Sequence, residues 1–149
     1  MARSLAPPGA GFKAAPSLAD VEEIAARAFA AIPEELRHHV RDVVIGVEEF
    51  PDAETEQEME LESPFDLLGL YRGVDLTRKS VGDVVRDVDM IFLYRRPLLD
   101  YWCETGEDIE HLVRHVLIHE IGHHFGLSDD DMERIEAAAE EAAAARRGC

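Results

Sequence analysis

With 149 residues the chain has the usual size of one domain, and its 46% hydrophobic content supplies a core, which excludes global disorder. Asp and Glu number 32 against 15 Lys and Arg, a formal net charge of -17, so the surface repels phosphate backbones and anionic membranes and draws cations toward it. Cys103 and Cys149 lack CxxC spacing and read as reduced thiols of a cytoplasmic protein. No stretch approaches the ~20 apolar residues of a membrane span. Residues 1–16 contain no apolar run of the kind found in a secretory signal.

In chain order, residues 1–16 are rich in Ala, Pro and Gly and read as a disordered N-terminal tail, with one domain expected over 17–149. Ser17 is placed to cap a helix whose apolar positions Leu18, Val21, Ile24, Ala25, Ala28 and Phe29 follow helical spacing. Pro33 ends that helix, and a short second one is expected from Glu34 to His39. Val43, Val44, Ile45 and Val47 mark a strand within 40–50, closed by Pro51. Residues 52–63 hold six acids and fit either a solvated loop or an exposed helix. Leu67 to Arg72 reads as a second strand, and 74–88 has no firm pattern. Asp89 to Arg95 is the clearest strand, with Pro97 expected to close it.

From Thr105 the pattern is helical again. Ile109, Leu112, Val113, Val116 and Leu117 lie on one face, while Ile118, Ile121 and Phe125 cover much of the other, as in a buried helix. Gly126 suits the position just past its end. Ser128 then caps a last helix that begins with Asp129, Asp130 and Asp131 and has Arg146 and Arg147 in its final turn, a charge distribution that matches the helix dipole.

The segment His119-Glu120-Ile121-Gly122-His123 is an HExxH motif. Residues four apart on a helix point the same way, so His119 and His123 can reach one ion at Zn–N distances of ~2.0–2.1 Å. Glu120 is rotated about 100° from His119, which keeps it off the ligand stripe but within reach of a water at the metal. Gly126 and Asp129 extend the pattern to HExxHxxGxxD. A sharp turn at the glycine can bring the Asp129 carboxylate back as a third ligand. Asp129 equally suits the first turn of the last helix, and Asp130 and Asp131 compete for both roles. His111 and His115 continue the four-residue ladder. A 115/119 pair is geometrically possible but lacks a glutamate placed as Glu120 is. His124 points off the stripe and reads as a packed residue, and His38 and His39 as surface residues at a helix end. Tyr94, Arg95 and Tyr101 are candidates to stabilise oxyanion charge, with packing roles as the alternative.

HEIGHHFGLSDDDM, together with the upstream DMIFLYRRP, resembles the minimal zincin-like metallopeptidases, small bacterial metzincin-like proteins, over residues 17–136. The resemblance implies an α+β zincin-like fold, in which a small mixed sheet packs against an active-site helix and a C-terminal helix. It further implies one Zn2+ on His119, His123 and Asp129, with Glu120 as catalytic base. Only 20 residues follow Asp129 and they read as helix, so no separate Met-turn fits and Met132 is expected to pack.

The expected activity is that of a zinc metallopeptidase: a metal-activated water attacks a peptide bond with Glu120 as general base. The substrate is expected to lie extended along an edge strand, for which Asp89 to Arg95 is the candidate. The expected partner is a peptide or protein, with neither nucleic acid nor membrane involved. Two other classes remain open. One is a non-catalytic module stabilised by zinc, which would need a closed site with a fourth protein ligand. The other is a metal-dependent endoribonuclease, which the charge of -17 opposes.

Overall fold

A computed structural model describes residues 14–40, 42–73 and 89–147; residues 1–13 of the expected tail and all of 74–88 lie outside the described residues. Helix α1, Leu18–Ala30, opens on a capping box. The Ser17 hydroxyl accepts from the Asp20 N–H at 3.1 Å, and Asp20 accepts from the Ser17 N–H at 2.9 Å. Its buried stripe is Val21, Ile24, Ala25 and Ala28. A short α2, Glu34–Arg37, runs into a 3-10 turn over His38–Val40. Strand β1, Val44–Glu48, is shorter than the β-branched run predicts. The acidic segment resolves in favour of helix: α3, Ala53–Glu58, is capped by the Asp52 carboxylate, which accepts from the Thr55 N–H at 2.8 Å.

Strand β2, Gly69–Arg72, and strand β3, Met90–Tyr94, complete a mixed sheet of order β1-β3-β2. β3 is parallel to β1 (Ile45 opposite Ile91) and antiparallel to β2 (Tyr71 opposite Ile91). Both of its edges are therefore hydrogen-bonded, which corrects the expectation that Asp89 to Arg95 is an edge strand. Among the described residues the strand with a free edge nearest the HExxH helix is β2. A second correction follows. Pro97 does not close the segment but sits in the first turn of α4, Arg95–Thr105. There its missing N–H has no intrahelical partner to lose.

Helix α5, Ile109–His124, is capped by Asp108 and carries the HExxH motif. It ends as the sequence predicts, with Gly126 left-handed at φ +74°. The Leu127 N–H reaches the Gly122 carbonyl at 2.9 Å and the Gly126 N–H reaches that of His123 at 3.2 Å. This double closure satisfies two carbonyls that the helix end would otherwise leave unpaired. Ser128 then starts α6, Asp129–Arg147, its hydroxyl accepting from the Asp131 N–H at 3.1 Å. Among the described residues no helix is long and apolar enough to cross a membrane.

The core lies where α5 meets the other elements. Ile91 and Leu93 of β3, the α1 stripe, and Met132, Ile135 and Ala139 of α6 are buried with Leu117, Ile118 and Ile121 of α5. Each such aliphatic side chain contributes about 1.5–3 kcal/mol relative to exposure, so α5 is held from several sides at once. Two glycines permit the close approaches. A Cβ on Gly69 would stand 2.7 Å from Val116 Cγ1, so its absence lets β2 lie directly on α5. A Cβ on Gly122 would overlap Met132 Sδ and stand 2.8 Å from its Cγ, and Met132 is fully buried. Gly122→Ala should therefore destabilise the fold by about 1–3 kcal/mol in urea unfolding, as overpacking does. Unchanged stability would show that this contact does not set the α5–α6 spacing.

Candidate metal centre

The burial of α5 leaves one face uncovered, and four of its residues fall four apart: His111, His115, His119 and His123. The helix thus presents a ladder of imidazoles. The ring centres of His119 and His123 are 5.7 Å apart and the planes are inclined by 78°. Two imidazoles that bind one tetrahedral zinc through nitrogens about 2 Å from it have ring centres about 5 Å apart. The pair stands within about 1 Å of that spacing, with His119 Nε2 turned toward Glu136.

Glu120 sits in a cleft of about 250 Å3 formed by Asp66, Leu67, Leu68 and Gly69 on one side and His115, Val116 and His119 on the other. Its Oε1 accepts from the Tyr71 N–H of β2 at 3.3 Å. Burial pushes its carboxyl above the usual carboxylate range, against smaller opposing pulls from that N–H and from the His123 and His119 rings. Tyr71 was not among the residues singled out from the sequence. Its ring stacks on His124 at 3.9 Å and 19°, and its hydroxyl donates to Asp89 Oδ2 at 2.6 Å. Desolvation first, and that bond second, keep the phenol protonated. Here His124 has the packing role expected of it.

The remaining candidates are distributed as follows. Asp129 is exposed at the first position of α6. Among the described residues the group of three potential donors whose ligand atoms all lie within 4.8 Å of one another is His115, His119 and Glu136; neither His123 nor Asp129 belongs to it. Glu136 lies 17 residues beyond His119, and only the folding back of α6 along α5 brings it there, so no local pattern reveals it. Tyr94 lies on the other face of the sheet, in a cavity shared with Glu48, Asp52 and Arg72. Arg95 is engaged by the Pro16 carbonyl at 2.6 Å and by Glu49 at 2.9 Å, and Tyr101 is exposed. Cys103 is a free, exposed thiol.

Residues 25–139 match the model of a family described as zincin-like metallopeptidase. No curated protein matches the chain.

The sign of the Glu120 shift gives a test. A carboxyl whose folded pKa is raised stabilises the fold while protonated, and that contribution is lost as pH rises through the folded pKa. In the metal-free protein Glu120→Gln should therefore be at least as stable as the parent at pH 7, with the difference vanishing below about pH 4. A thermal unfolding series showing Glu120→Gln less stable at neutral pH would contradict this environment.

Proposed function

We propose, from the premise that the chain belongs to the zincin-like metallopeptidase family, that it hydrolyses peptide bonds with one zinc ion held by His119, His123 and Asp129 and with Glu120 as general base. The observation that carries this reading is the placement of Glu120: one residue along from His119, half-withdrawn from solvent, and facing a cleft. Zinc bound beside it supplies polarisation of the scissile carbonyl and a lowered pKa for water.

The protein's own groups do the rest. The Tyr71 N–H holds Glu120 Oε1 and so fixes the carboxylate, leaving Oε2 to take a proton from water and pass it to the leaving amine. Burial brings the carboxyl closer to neutrality, where one group serves better as base and then as acid. Among the described residues β2 has a free edge, which borders the same cleft through Gly69, and an extended peptide pairing with it would pass over Glu120. Main-chain pairing of that kind tolerates many sequences. The charge of -17 disfavours RNA as a substrate.

Glu120→Ala should keep its zinc in metal analysis and lose at least about 100-fold in peptide cleavage, the scale of general-base catalysis. His123→Ala should lose peptide cleavage, because the HExxH centre is left with His119 and Asp129 alone. A Glu120→Ala protein that retains zinc and cleaves as fast as the parent would overturn the assignment.

A further inference from the structure

The α5–α6 seam carries two carboxylates, one helical turn apart on α6, and they are neutralised differently. Glu140 pairs with Arg114, a guanidinium only 3% exposed, and also meets His111 Nδ1 at 3.2 Å. Glu136 meets His115 Nδ1 at 2.7 Å through Oε1 and His119 Nε2 at 2.6 Å through Oε2. Among the described residues it has no Lys or Arg partner, although its side chain is only 22% exposed. A carboxylate placed between two imidazoles in this way can share a cation with them. Two nitrogens and one oxygen form a donor set that suits zinc or cobalt rather than magnesium or calcium.

We propose that His115, His119 and Glu136 form a second station for a divalent transition-metal ion, competing with the HExxH station for the His119 ring. Little movement is needed. A tetrahedral ion about 2 Å from each donor keeps its donors about 3.4 Å apart, so His119 Nε2 and Glu136 Oε2, now 2.6 Å apart, must separate by less than about 1 Å. The rings of His115 and His119, 4.1 Å apart and inclined by 32°, must open by about 1 Å to reach the spacing of two imidazoles on one tetrahedral ion. His119 offers Nε2 to Glu136, and through that atom it can serve one station at a time. An ion here takes the His119 ring from the HExxH station and leaves His123 with one fewer partner. Relative affinity then decides which station holds the ion, and an ion held here silences the HExxH centre, a form of regulation that rests on the peptidase reading for its consequence but not for its existence.

The test is titration with Co(II) alone, followed by visible d–d absorption and calorimetry, with circular dichroism to verify folding. The His123→Ala/Asp129→Ala protein lacks two of the three ligands proposed for the HExxH station and should still bind one Co(II). Adding His115→Ala or, separately, Glu136→Gln should weaken that binding at least about tenfold. A folded His123→Ala/Asp129→Ala protein that binds no Co(II), or whose binding is indifferent to both added changes, overturns the second station and leaves the peptidase reading intact. The peptidase reading fails by a different result: a His123→Ala or Asp129→Ala protein that cleaves peptides as fast as the parent.

Discussion

Everything at the metal centre depends on how α5 is buried. The sheet, α1 and α6 cover it with apolar side chains, and Gly69 and Gly122 let two of those neighbours approach to backbone distance. The face left uncovered carries four histidines at four-residue spacing. A helix free to rotate or slide would smear the row. One clamped by fully buried Leu117, Ile118, Ile121 and Met132 holds each ring at a fixed height and azimuth. The chemistry is positioned by the packing of residues that take no part in it.

The same clamp explains the carboxylates. Glu120 is carried inward by its rotation from the histidine row and meets β2, where the Tyr71 N–H receives it. Glu136 and Glu140 are delivered from outside, by a helix folded back through the tight Gly126 turn. An acidic chain thereby supplies its imidazoles with oxygen partners from two directions. The one on the cleft side faces the space a substrate would occupy, and the one on the α6 side does not.

Local signals in the sequence were reliable where local physics decides the structure. The Ser17 cap, the Gly126 helix end and the Ser128 cap are each settled by a few adjacent residues, and each appears as expected. The sequence does not reveal helix α4 because Pro97 reads as a terminator, whereas in a first turn it costs no hydrogen bond. The central position of β3 was missed because strand order is decided by long-range pairing, and a run such as DMIFLYR looks the same at an edge or in the middle. At the site, the i,i+4 relation of His119 and His123 was legible from spacing alone. Tyr71 and Glu136 were not, since only tertiary packing joins them to α5.

The measurement that bears most directly on the central claim is a crystal structure of the zinc-loaded protein with anomalous scattering collected at the zinc edge. The account requires a single strong peak within bonding distance of both the His119 and His123 rings, with the Glu120 carboxylate alongside and outside the coordination sphere. A peak held by His115, His119 and Glu136 with none touching His123 at one zinc per chain would contradict it, as would zinc bound away from α5 altogether.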